Sequence, residues 1–198
     1  KKGRSELFHL TADEFCTDII AHPMGNQETP AIREAQQKVI NHYSLHGHKV
    51  DAMYYDDGKN ITGTEASLNG LGVKLVQAPA NEHDKHAESA YRTVKSTMRA
   101  VLSCLDYTMP VTLMRSLFKD VCKTRAMVTT RNSGHMSPHQ LVKGGDPIDA
   151  TKILSIPFGA LVSTHDNERS QDLGPRQAYG IVTGRDTNCP GKFTIWRW

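Results

Sequence analysis

The chain has 198 residues, 38% of them hydrophobic and 23% charged, with a formal charge of +3 and ten histidines in addition. That length supports one good-sized domain, or one domain with an appendage. No apolar run approaches the roughly 20 residues that a membrane-spanning helix needs, and the basic opening KKGRSELFHL leads into no long apolar segment of the signal-peptide kind. The first residue is not Met, so a processed protein or a piece of a longer one is expected. The four cysteines, Cys16, Cys104, Cys122 and Cys189, form no C-x-x-C, which argues against a zinc knuckle or a thioredoxin-like motif. Cys104 and Cys122 fall inside apolar helical patterns, so buried free thiols and a reducing compartment are expected.

In chain order, residues 6–22 predict two short strands with Asp13-Glu14 as the turn, and Pro23, Gly25 and Asn26 then punctuate the chain. Residues 28–45 predict a helix, because Ala31, Ile32, Ala35, Val39, Ile40 and Tyr43 recur at helical spacing. Thr29 is the expected N-cap, Pro30 the first helical residue and Gly47 the stop. Residues 49–55 predict a strand that delivers Asp56 and Asp57 at its C-terminal end. A short helix is expected around 64–70 and a strand over 73–77. Residues 86–106 carry the strongest helical pattern, with Val94, Met98, Val101, Leu102 and Leu105 on its stripe and Glu88 in its first turn. Pro110 starts another helix, with Leu113, Leu117, Phe118, Val121 and Cys122 on its core face. A polar loop then runs through TTRNSGHMSPHQLVKGGDP. After about residue 153 short strands take over: ALVST, AYGIVTG and KFTIWRW. Strands alternating with helices predict an α/β domain with a mixed sheet.

Asp56 or Asp57 at a strand end and Glu88 at a helix start could reach one point in space. Two-metal phosphoryl transfer needs carboxylates converging in that way on ions about 3.5–4 Å apart. The plainer reading is a turn made by Asp and Gly, and a first-turn Glu that complements the helix dipole.

Five segments in order resemble the copia-type retrotransposon integrase, a member of the ribonuclease H-like DDE group. TADEFCTDIIAHPM resembles that family's second and third strands. MYYDDGKN lies where the family has its second catalytic Asp, which matches Asp56, with Asp57 beside it. HAESAYRTVKSTMRAVL resembles the segment carrying the catalytic Glu, here Glu88 after Ala87 and before Arg92 and Thr93. MSPHQLVKGGDP resembles a typical family loop. SIPFGALV, GPRQAYGIVTG and FTIW resemble the small β module that follows the core. The resemblance covers roughly nine-tenths of the chain. It implies a ribonuclease H-like α/β core with a mixed sheet and flanking helices over residues 1–150, and a small C-terminal β module over 151–198. It also implies Asp56, Asp57 and Glu88 as metal ligands, Asp56 and Glu88 as catalytic, and Mg²⁺ as cofactor where the site is intact.

The departures point the other way. The family's first catalytic Asp lies on a first strand that this sequence does not show; Asp13 falls in a turn, and Asp18 is a poor substitute for the same reason. Asp57 stands where Asn or Gln is usual, and Ser89 where a basic residue commonly follows the Glu. The Asp56-to-Glu88 spacing is a few residues short, and the upstream zinc-binding His/Cys domain is not seen. Two carboxylates without a third would hold Mg²⁺ poorly, because the ion demands near-octahedral oxygen coordination.

Arg92, Lys95 and Arg99 make a basic stripe on the long helix, and Arg115, Lys119 and Lys123 make another on the next. They read as a track for a nucleic-acid backbone or as solvated helix faces. His83 with His86, and His135 with His139, are spaced for zinc but have no nearby Cys, and a metal role is not expected. Trp196 and Trp198 either pack against the β module, the plainer reading, or dock on a partner. The expectation is a degenerate, exapted integrase-like domain serving as a nucleic-acid-binding or scaffold subunit of a larger assembly, ribonucleoprotein included. DNA is the family's partner and RNA the exapted one, a protein partner covers the missing first strand, and no membrane is involved. The nucleus or an organelle such as the mitochondrion is the expected place. The alternative is a fragment of an active integrase that performs Mg²⁺-dependent 3′-end processing and strand transfer.

Overall fold

The computed structural model describes residues 7–56, 59–78, 85–129, 135–145, 149–165, 177–186, 189 and 191–197. Strands β1 (Leu7–Ala12) and β2 (Ile19–Met24) form an antiparallel hairpin in the register Leu7↔Met24 to Ala12↔Ile19. Asp13 makes the turn. Its Oδ1 accepts from the backbone N–H of Phe15 at 3.0 Å and of Cys16 at 2.6 Å, and Asp13 N–H donates to Asp18 O at 2.9 Å. The second strand runs through Pro23, which reads as a stop in the sequence. Proline survives in a strand where its missing N–H faces no partner, and β2 has a strand neighbour on one side only among the described residues.

Helix α1 (Thr29–Leu45) comes next. Thr29 is its first residue and not the expected cap; Glu28 holds the N-cap position, and Thr29 Oγ1 donates to Asn60 O at 3.1 Å. Strand β3 (Ala52–Tyr55) is shorter than the apolar pattern implied. The short helices α2 (Lys59–Thr62) and α3 (Glu65–Gly70) return the chain to β4 (Lys74–Gln77), which pairs parallel with β3. Val39, Ile40 and Tyr43 of α1 close over Met53, Leu68 and Val73 as one apolar cluster.

Helix α4 (Lys85–Ser103) stops before the expected residue 106, and Cys104 just beyond it is exposed. A 3₁₀ turn (Val111–Leu113) after Pro110 leads into α5 (Met114–Met127). Leu117, Phe118, Val121 and Cys122 of α5 bury against Val94 of α4 and Ile19 of β2, and Phe118 stacks on Phe8 at 4.2 Å between ring centroids. The stretch read as a polar loop contains α6 (Pro138–Lys143). Its start is a capping box: Ser137 Oγ accepts from Gln140 N–H, and Gln140 Oε1 accepts from Ser137 N–H at 3.0 Å. A short α7 (Ala150–Ile153) precedes an antiparallel sheet of β5 (Leu161–His165), β6 (Gln177–Arg185) and β7 (Phe193–Arg197), in the order β5-β6-β7. Gly180 is needed in β6, because a Cβ there would lie 2.5 Å from Ile195 Cγ2 and 2.6 Å from the Trp196 carbonyl. The mixed α/β class expected from the sequence is the class observed, with the strand module at the C-terminus. Among the described residues the first four strands form two separate pairs, β1-β2 and β3-β4.

The strand module is pinned to α5 by a buried ion pair. Arg185 Nη1 lies 3.4 Å from Asp120 Oδ2 and donates to Thr124 Oγ1 at 2.9 Å, with the two charged side chains 7% and 5% exposed. Asp120 Oδ1 and Arg185 Nε are buried with no hydrogen-bond partner. Burial raises the Asp120 pKa, against the pull of the Arg185 charge and a smaller one from Lys123. A pair so incompletely satisfied costs more in desolvation than a good bidentate pair would. Arg185→Met is therefore expected to lower stability by about 3–5 kcal/mol, since it strands a buried carboxylate, while Asp120→Leu combined with Arg185→Met returns close to the parent value. Urea unfolding of the three proteins checks this. A double variant as unstable as the single one would show that attraction within the pair outweighs its desolvation.

Candidate functional site

Asp56 follows the last residue of β3 and is exposed, and Glu88 occupies the first turn of α4. Each element thus delivers its carboxylate where the sequence pattern placed it. Asp57 lies outside the described residues, as does His83. Glu88 is already engaged: its Oε1 accepts from Arg92 Nη2 at 2.6 Å across one helical turn. Such an exposed i,i+4 pair contributes about 0.3–0.5 kcal/mol. Among the described residues no three His, Cys, Asp or Glu side chains gather in a way that could hold a metal ion.

The basic residues of both helices point to water. Arg92, Lys95 and Arg99 on α4 are exposed, and so are Arg115, Lys119 and Lys123 on α5. Lys95 Nζ also sits 5.5 Å from the centre of the Tyr91 ring, a cation–π distance. Tyr91 is 48% exposed and belongs to this polar surface, while its neighbour Ala90 is buried at 8%. Of the C-terminal tryptophans, Trp196 is 39% exposed on β7 and Trp198 lies outside the described residues.

The structure also assembles a cluster that the sequence reading passed over. Asp18 at the base of β2, His22 on β2, His42 on α1, Lys119, Cys122 and Lys123 on α5, and His139 and Lys143 on α6 line one cavity. Asp18 is 6% exposed, and burial pushes its carboxyl up to about 6, with a smaller lift from Asp13. His42 Nε2 stands 3.8 Å from Asp18 Oδ2. Burial, then the nearby His46 and Lys143, lower the His42 pKa, so the contact is no ion pair at neutral pH. Burial, then Lys143, brings His139 down to about 4. His9, facing His22 across the hairpin, is likewise brought down to about 4 by burial and by His22. Cys122 is buried, and its thiol is pushed up to about 12 by burial. It is inert at neutral pH. The sequence carried one signal for such sites: a charged residue on an apolar stripe, as Asp120 is between Leu117 and Val121. Histidines scattered over four elements carried none.

No protein-family model matches the sequence, and no curated protein matches it. The fold does have relatives among solved structures. The HTLV-2 integrase catalytic core domain, in complex with magnesium, superposes with a TM-score of 0.53 at 14% identity, over 72% of this chain and 88% of that one. A chain of the simian T-cell lymphotropic virus intasome in complex with PP2A regulatory subunit B56 gamma superposes with a TM-score of 0.57 at 11% identity. That match covers 91% of this chain and 64% of the other. At these identities the likeness is one of fold, and the fold is that of the retroviral integrase catalytic core.

The buried titrating groups set the acid response. Asp18 holds its proton more tightly in the folded protein, so ionising it opposes folding above pH 6, and that opposition fades as pH falls toward 4. His9 and His139 act in the opposite sense: their neutral forms favour the folded state above about pH 6.5, and that contribution is lost on the way down to pH 4. Two histidines outweigh one aspartate, so the urea midpoint is expected to fall between pH 6.5 and 4.5. Asp18→Asn removes the compensating group, worth roughly 3 kcal/mol at most, and should fall more steeply than the parent. Equal slopes for the two proteins would mean that Asp18 titrates normally.

Proposed function

We propose that this chain is a degenerate, exapted integrase-like domain that works as a nucleic-acid-binding or scaffold subunit of a larger assembly. The observation that carries this reading is the pair of exposed basic faces on α4 and α5. Mg²⁺ takes oxygen ligands in near-octahedral geometry. Asp56 and Glu88 have the right chemistry. Glu88 is paired with a guanidinium, and no group of three such ligands gathers among the described residues, which leave out Asp57.

Two features support a binding role. The exposed cations Arg92, Lys95 and Arg99 on α4, and Arg115, Lys119 and Lys123 on α5, suit a phosphate backbone, of DNA as in the copia family or of RNA. The separate pairs β1-β2 and β3-β4 leave each of the four strands with one strand neighbour among the described residues. Unpaired strand edges are templates for a further strand, which suits a protein partner that adds a strand there. No helix of the described residues is long and apolar enough to cross a membrane. Two buried free thiols suit a reducing compartment, the nucleus or an organelle such as the mitochondrion.

The second reading, an active Mg²⁺-dependent retrotransposon integrase, is favoured by the placement of Asp56 after β3 and of Glu88 in the first turn of α4. Calorimetry with Mg²⁺ and Mn²⁺ separates the two. The parent and the Asp56→Asn plus Glu88→Gln variant are expected to show the same weak heats. Tight binding that the variant loses would put the enzyme reading first. For the nucleic-acid role, the salt dependence of oligonucleotide binding is the measurement. Replacing Arg92, Lys95 and Arg99 by Gln should reduce the slope of log K against log salt by about 0.7–0.9 for each phosphate contact removed. An unchanged slope would reduce these residues to a solvated helix face.

A further inference from the structure

A cavity of ≈ 390 Å³ runs along β2, walled by α1, α5 and α6. That volume lies within the range of about 300–1,000 Å³ typical of small-molecule sites. Its charge is lopsided. The described lining residues include Lys119 and Lys123, one turn apart on α5, Lys143 at the end of α6, and one carboxylate, Asp18. His22, His42 and His139 complete the polar lining. Lys119 and Lys123 are exposed, so their ammonium groups reach the mouth without a desolvation cost. The inner wall is apolar, with Ile20, Ala21, Ala126 and Val142.

We propose that this cavity binds a phosphate-bearing ligand of nucleotide size. Lys119, Lys123 and Lys143 hold the phosphate as point charges, and the apolar wall takes the body of the ligand. A dianion suits three lysines set against one carboxylate, and a bare apolar molecule does not. The same chemistry is offered by a free mononucleotide and by one nucleotide of a strand. Lys119 and Lys123 are shared with the α5 face invoked for nucleic acid, so Arg92, Lys95 and Arg99 on α4, which do not line the cavity, are the residues that separate the two readings.

The test is calorimetric titration of the 198-residue chain with AMP and UMP, beside adenosine and uridine, at low ionic strength. The monophosphates are expected to bind at least tenfold more tightly than the nucleosides. Lys119→Gln with Lys123→Gln, two exposed changes that leave the core alone, should cost at least tenfold in monophosphate affinity, and Lys143→Gln should weaken it further. The side-chain resonances of His22, His42 and His139 should shift on addition of AMP to the parent protein, a readout that needs no variant. A short oligonucleotide displaced by AMP would assign the site to a strand, and one that binds alongside AMP would assign it to a free nucleotide. Nucleosides that bind as well as monophosphates, affinity unchanged in the lysine variants, or histidine resonances that do not move would each overturn the proposal. Oligonucleotide binding that is lost only with Arg92, Lys95 and Arg99, with AMP still bound, would likewise assign the pocket to a free nucleotide.

Discussion

Helix α5 must be covered on more than one side, and much of the described structure depends on how that is done. Leu117 and Val121 face inward with almost no exposure, Phe118 reaches the hairpin, and Asp120 faces the strand module. The hairpin β1-β2 covers one side through Phe8 and Ile19, α4 another through Val94, and β6 a third through Ile181. An apolar side chain of the size of Leu or Phe contributes about 1.5–3 kcal/mol when fully buried. Taking any of these covers away would therefore expose several such side chains at once. Tyr107 extends the same join, since its hydroxyl donates to Gly159 O at 2.7 Å in the chain entering β5.

The arrangement explains the distribution of charge. With its inner faces occupied, α5 presents Arg115, Lys119 and Lys123 to water at intervals of four residues, and α4 presents Arg92, Lys95 and Arg99 at intervals of three and four. The carboxylate that α5 turns inward, Asp120, needs a cation, and Arg185 provides it incompletely. On the far side of β2, α1 and α6 bring histidines and a lysine to the edge of the hairpin. A buried aspartate there tolerates its position by taking up a proton more readily than in water.

The integrase-core fold was legible in the sequence to the level of its elements. Helical spacing from Ala31 to Tyr43, and again from Val94 to Leu102, comes from local periodicity, and local periodicity survives any tertiary context. The strand ends were less legible. Pro23 reads as a stop in isolation, yet it is tolerated inside β2 because tolerance depends on which edge lacks a partner. The helix Pro138–Lys143 was hidden among turn formers, although Ser137 and Gln140 spell a capping box.

The candidate site divides along the same line. By itself the sequence determined where Asp56 and Glu88 would sit, one after a strand and one in a first helical turn, because position within an element is a local property. It also determined that the basic residues would fall on exposed helix faces. Only the tertiary structure decided what those groups meet. Glu88 meets Arg92, Asp120 meets Arg185 from a distant strand, and Asp18 meets His42 from α1 and the charge of Lys143 from α6. Charges act through space over a few ångströms, and no periodicity in the chain records which distant residues folding will bring within that distance.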